Sequence, residues 1–174
     1  MTVPRASAIR WPLAEGKTGI NFQVVLPPMA HLSRVYVHAG HFIDGLQMEY
    51  ASPSHRGLTG FIGGVGGQRE SFEFREDDEL VAITGSVEKV VTSLQFHTLD
   101  RESPLFGIPT GESFGWSVDR GFGFLGFYGR AGYFLEAVGL VMSRTSAEEM
   151  GNGEVSEPRG RPQREASFPS RSVR

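Results

Sequence analysis

Gly40-His41-Phe42-Ile43-Asp44-Gly45-Leu46 and Gly132-Tyr133-Phe134-Leu135-Glu136-Ala137-Val138 carry one pattern twice. Each reads glycine, ring, phenylalanine, aliphatic, acid, small residue, aliphatic. Each follows one strand-like run and starts another, so each reads as a strand-turn-strand corner. A weaker third copy is read at Gly85-Ser86-Val87-Glu88. A corner that returns at long spacing predicts a pseudo-symmetric β fold with its corners on one rim.

The flanking sequence agrees. Leu32 to His38, Leu46 to Tyr50, and Ser93 to His97 alternate apolar and polar residues, as half-buried strands do. Ser71 to Arg75 sets Phe72 and Phe74 on one face against charges on the other. Leu80 to Ile83 leads to a turn expected at Gly85-Ser86, and Leu135 to Met142 reads as the last strand. Phe122, Phe124 and Phe127 alternate with glycines, and Trp116-Ser117-Val118 reads as strand. No window of helical length keeps a 3.6-residue period, so the fold class is all-β: a sandwich, barrel or prism. Phe72, Phe74, Phe96, Phe122 and Phe124 are expected in the core.

Residues 1–15 read as an arm, with Pro4 and Pro12 breaking regular structure. Residues 16–144 read as one domain. Residues 145–174 are Ser, Glu, Arg, Pro and Gly with few large apolar side chains. Such a segment cannot offset an ordering entropy of about 1–2 kcal/mol per residue, and the tail is expected to be disordered.

Composition narrows the function. A net charge of −3 and a pI of 6.0 supply no basic face for phosphates, so nucleic acid is not an expected partner. With no cysteine, thiolate catalysis and Cys-based zinc sites are excluded. The 5 histidines show no metal-like spacing with acids, so neither metal nor cofactor is expected. No apolar run is long enough to cross a bilayer. Met1 to Glu15 lacks an apolar leader, so a cytoplasmic or non-classically secreted protein is expected. Gly111-Glu112-Ser113-Phe114-Gly115 matches a nucleophile elbow in letters only, because that elbow needs a following helix. The run Gly63-Gly64-Val65-Gly66-Gly67 fails the dinucleotide fingerprint, with Arg69 in place of the third glycine. No catalytic residue is expected.

Asp44 and this glycine run together suit a neutral polyol. An ionised carboxylate accepts from two neighbouring hydroxyls, and turn amides donate back. Glycine lets a ligand approach the main chain. Phe42 or Tyr133 offers a ring to the C–H face of a pyranose. The competing reading of Asp44 is a turn aspartate that caps its own loop.

An ordered series resembles the jacalin-related lectins. It runs through Gly40–Asp44, Gly63–Gly67, Val91–Phe96, Gly111–Phe114, Gly126-Phe127-Tyr128-Gly129-Arg130-Ala131-Gly132 and Leu135–Gly139. The resemblance covers roughly residues 16–143. It implies a β-prism of three four-stranded Greek-key sheets with pseudo-threefold symmetry, without metal or catalysis. It implies binding of mannose/glucose-type or galactose-type sugars, so mono- or oligosaccharides and glycoproteins are the partners. Carried onto this chain, it implies a sugar site at Gly40, His41, Phe42, Ile43, Asp44, Gly66 and Gly67. It implies a second site at Gly19, Gly132, Tyr133, Phe134, Leu135 and Glu136. There, glutamate replaces the usual aspartate and extends the carboxylate by about 1.5 Å. Gly19 stands where a richer glycine loop is usual. A homo-oligomer is expected. The alternative is a protein-interaction module with degenerate sugar sites.

Overall fold

The computed structural model describes residues 19–145 and the short strand Ser7–Ala8. The expected tail therefore lies almost wholly outside the described residues, as does most of the arm. Among the described residues there is no helix.

The strands are β1 (Ser7–Ala8), β2 (Ile20–Val25), β3 (His31–Ala39), β4 (Ile43–Ala51), β5 (Arg56–Leu58), β6 (Ile62–Gly63), β7 (Gln68–Glu73), β8 (Ala82–Val87), β9 (Val91–His97), β10 (Phe106–Gly107), β11 (Glu112–Ser117), β12 (Phe122–Ala131) and β13 (Leu135–Arg144). They form three antiparallel sheets in the orders β5-β4-β3-β7, β10-β9-β8-β11 and β1-β13-β12-β2. β6 also pairs with β4. β5 meets β4 at Glu49–Ala51 and β6 meets it at Gly45–Leu46, so the two share one position as an interrupted fourth strand.

Each sheet has the same connectivity. A long hairpin forms its centre, the next segment adds outside the second strand, and a fourth returns beside the first. That is the Greek-key order. In the third sheet the hairpin is β12-β13, and β1 and β2 come from the other end of the chain. Ser7 and Ala8, placed in the arm on sequence grounds, pair with Met142 and Val141 and complete this sheet. The fold is the expected β-prism.

All three sheets turn one face toward a shared core. Val35, Val37, Leu46 and Met48 come from the first sheet, Ile83, Leu94 and Phe96 from the second, and Phe127, Leu135 and Leu140 from the third. Phe96 links two of them, with its ring 5.9 Å from Phe106 and 6.2 Å from Phe127. Burying each such side chain contributes about 1.5–3 kcal/mol. Phe72, Phe74 and Phe96 are buried, and Phe122 and Phe124 pack half-buried against the same core. Trp116 joins it as well, its indole N–H donating to the Val138 carbonyl at 3.0 Å.

One sequence expectation shifts, and the rejection of the nucleophile elbow agrees with the strand found there. The turn expected at Gly85-Ser86 lies inside β8. Ser113 of the apparent nucleophile elbow lies inside β11, paired with Ser86.

Candidate carbohydrate-binding site

The hairpins β3-β4, β8-β9 and β12-β13 end in the same three-residue turn. Gly40, Glu88 and Gly132 donate N–H bonds to the carbonyls of Phe42, Val90 and Phe134, each at 3.0 Å. Each hairpin then slips register by one residue, where Ala39 pairs with Ile43, Val87 with Val91, and Ala131 with Leu135. The extra residue of each bulge is Asp44, Thr92 or Glu136. A bulge re-aims a side chain that simple alternation would send elsewhere. The third corner is thus Glu88 to Thr92, three residues beyond the copy read at Gly85, and it carries a hydroxyl in place of the acid.

At the first corner, Asp44 is 8% exposed and faces the loop at 63–67. A Cβ built on Gly66 would fall 2.5 Å from Asp44 Oδ1, and one on Gly67 would fall 2.9 Å from Oδ2. Only glycine lets this loop close on the carboxylate. Gly67 also has φ +66, a conformation costly for any residue with a Cβ. Gly64 donates its N–H to the Asp44 carbonyl at 2.8 Å and so fixes the loop's entry. Among the described residues no cation lies within ion-pair distance of Asp44. Burial raises its carboxyl above the usual aspartate range, with the nearby His38 and the residue's own amide acting the other way. The structure brings Gly40, Asp44, Gly66 and Gly67 together. Ile43 is fully buried and anchors the turn, while His41 and Phe42 are exposed at its tip.

The second corner is already paired. Glu136 is 5% exposed, with Oε2 3.8 Å from Arg130 Nε. The same Nε–H donates to the Gly19 carbonyl at 2.9 Å. A Cβ on Gly19 would lie 2.9 Å from the Glu136 carboxyl carbon. Glu136, Gly19 and Gly132 converge much as at the first corner, but Arg130 compensates the carboxylate. Leu135 is buried like Ile43, while Tyr133 and Phe134 reach the surface.

The third corner is satisfied internally. Thr92 Oγ1 donates to the Thr110 carbonyl at 2.7 Å and shares a 2.7 Å hydrogen bond with Ser86, which bonds Ser93 at 2.6 Å. Sequence reading passed over this chain of buried hydroxyls, because serine and threonine within strands give no pattern of their own. It also passed over Arg130 as the partner of Glu136, although the two lie in one motif.

Elsewhere, Thr84 Oγ1, His97 and Glu102 line up at 2.7 and 3.8 Å. This group braces β8 to β9 and to the following loop. Burial lowers the His97 pKa, and Glu102 opposes that shift in part. No group of three or more His, Cys, Asp or Glu able to hold a metal occurs among the described residues.

Two of the three bulged hairpins thus carry a buried acid closed upon by glycine backbone, at one rim of a Greek-key prism. The chain belongs to the Jacalin-like lectin domain family, whose model matches residues 14–141. It is 30% identical over 126 residues to jacalin-related lectin 32 of Arabidopsis thaliana, covering 63% of this chain and 41% of that relative. It is 28% identical over 135 residues to horcolin of Hordeum vulgare, covering 74% of this chain and 92% of that protein. Among solved structures, wild-type Malaysian banana lectin matches with a TM-score of 0.67 at 24% identity, over 80% of this chain and 100% of that one. A mannose-binding jacalin-related lectin from Ananas comosus matches with a TM-score of 0.59 at 25% identity, over 73% of this chain and 99% of that one.

Proposed function

We propose that the Asp44 corner binds a neutral hexose of the mannose or glucose type. The observation that carries this reading is a buried carboxylate, without an ion-pair partner among the described residues, held against the Gly66–Gly67 backbone. Its two oxygens accept from vicinal hydroxyls, and the amides of His41, Phe42 and Gly67 donate to the sugar oxygens. The mannose-binding relative from Ananas comosus supports this ligand class. The Glu136 corner binds such a sugar more weakly, because Arg130 draws on its acceptor.

The alternative of a protein-interaction module with degenerate sites finds support at two corners only, where Arg130 and the Thr92 hydroxyl chain occupy the polar groups. Among the described residues, the Asp44 corner has no such occupant. One shallow site gives weak affinity, since a polar ligand must shed bound water. A homo-oligomer displaying several Asp44 corners to a glycoprotein would raise avidity by about 10²–10⁴. Calorimetric titration with methyl α-mannoside tests the reading. Saturable binding at one site per chain supports it. A folded protein that is silent toward mannose and glucose contradicts it.

A further inference from the structure

His38 is half-buried on β3, beside the Asp44 corner. In register it stands opposite Gly45, next to the step at which Asp44 bulges out of β4. Its ring meets Phe61 edge to face at 5.3 Å. Phe61 fills the space left by the missing Gly45 side chain, since a Cβ there would fall 2.8 Å from the Phe61 ring. From Phe61 the chain runs straight into the loop at 63–67 that closes on Asp44. Packing alone does not account for a histidine in this place. Its Nδ1 is buried and has no hydrogen-bond partner among the described residues. A buried polar atom left in that state costs stability, and a phenylalanine would meet Phe61 without that cost. What an imidazole adds is a charge in mild acid.

Resting on the hexose reading of the Asp44 corner, we infer that His38 is a positioning residue that keeps Asp44 ionised, and so able to accept sugar hydroxyls, as the pH falls into the mildly acidic range. It touches no sugar and acts through the carboxylate. The charged groups around it are few. On β4 it stands beside Asp44. On β7 its register partner is Arg69, whose guanidinium lies over the Tyr36 ring at 3.9 Å and carries its charge at every pH of interest. Glu70 pairs with Val37 and so falls on the other face of the sheet. On its own strand Tyr36 shares its face and donates to Glu49 at 3.0 Å. Burial raises the Asp44 carboxyl, and the His38 imidazole is the larger of the two influences that oppose burial. Burial alone would let Asp44 take up a proton early and lose an acceptor. A proton on His38 places a positive charge beside the carboxylate in that same range and holds it ionised.

The test reads Asp44 and sugar binding side by side on the full chain. Carboxyl carbon NMR of the sugar-free protein follows the Asp44 titration. Calorimetry with methyl α-mannoside follows affinity from pH 8 into acid. In His38→Phe the Asp44 midpoint is expected to rise by about one pH unit, and the acid limb of the affinity profile is expected to move up with it. At pH 8, where an imidazole is ordinarily neutral, the affinity is expected to match the wild type. His38→Gln, also uncharged, is expected to shift the midpoint in the same direction and serves if the phenylalanine variant does not fold. Equal Asp44 midpoints in wild type and variants, or an affinity profile that does not follow the midpoint, overturn the role of His38 and leave the hexose reading intact. Affinity lost equally at every pH with the midpoint unmoved assigns His38 to packing and overturns the inference as well. A folded wild type that binds no sugar at any pH overturns the hexose reading, and the inference falls with it whatever the Asp44 titration shows.

Discussion

The Asp44 carboxylate and the Gly67 backbone are close enough that one Cβ on Gly67 would fall 2.9 Å from Oδ2. An acid buried to this degree ordinarily has an ion-pair partner, and Glu136 has one in Arg130. Asp44 faces amide-bearing backbone instead. Asp44→Asn preserves shape and removes charge. Charge-assisted hydrogen bonds contribute about 1.5–3 kcal/mol each, so the variant is expected to lose at least tenfold in sugar affinity. Its melting temperature is expected to hold or rise, because burial disfavours the charged form. Calorimetry and thermal denaturation check the two halves.

Acid is expected to weaken binding earlier than for an ordinary aspartate. Burial is the main cause of the raised Asp44 pKa. Sugar affinity is full above that raised value and falls as pH drops through it, because the protonated carboxyl loses an acceptor. The same shift lets the folded state take up this proton more readily than the unfolded chain does. Protonating Asp44 therefore does not drive acid unfolding. A pH series of sugar titrations reads the midpoint.

Asp78 has the opposite sign. The Arg75 backbone N–H donates to it at 2.8 Å, and Arg101 pairs with it. Both lower its pKa, the Arg75 bond more. It contributes stability above the ordinary aspartate range and loses it as pH falls through its depressed folded value. Asp78→Asn is expected to lower the melting temperature at pH 7, with the gap to wild type closing in strong acid. Thermal scans across pH check this.

Two neighbouring glycines are expected to separate stability from binding. In Gly67→Ala the new methyl meets the Ala39 carbonyl carbon at 2.5 Å, on a backbone with φ +66. Left-handed backbone at a non-glycine residue costs about 1–3 kcal/mol. Such a loss lowers Tm by about 2–4 °C per kcal/mol for a chain of this size. In Gly66→Ala the first obstacle is Asp44 Oδ1 at 2.5 Å, a side-chain atom that can swing aside. That variant is expected to lose sugar binding with a smaller change in Tm.

The third corner offers a control. Thr92→Val keeps the shape and leaves Ser86 and the Thr110 carbonyl short of a partner. Unsatisfied buried groups cost about 1–3 kcal/mol. Stability is expected to fall by that amount while affinity at the Asp44 corner stays the same.

The long hairpins were legible because alternation over five to seven residues records a buried face, as in Leu32–His38 and Ser93–His97. The shortest outer strands were not. Ile62–Gly63 and Phe106–Gly107 are two residues each, too short to show a period. Gly85 misled for a different reason. A Cβ there would fall 2.8 Å from the Phe114 ring, so the glycine makes room for an aromatic neighbour inside a strand. The turn falls at Glu88-Lys89-Val90, residues without turn chemistry, and the symmetry of the fold imposes it. The Asp44 corner was legible because its acid and glycines stand in compact motifs. The Arg130 ion pair was not, since sequence does not show where a bulge aims a side chain.

A crystal structure of the chain soaked with methyl α-mannoside tests the central claim most directly. The account predicts a pyranose at the Asp44 corner, with two adjacent hydroxyls on Oδ1 and Oδ2 and main-chain N–H donors from His41, Phe42 and Gly67. An empty Asp44 corner at saturating sugar, or a sugar bound away from all three hairpin tips, contradicts it.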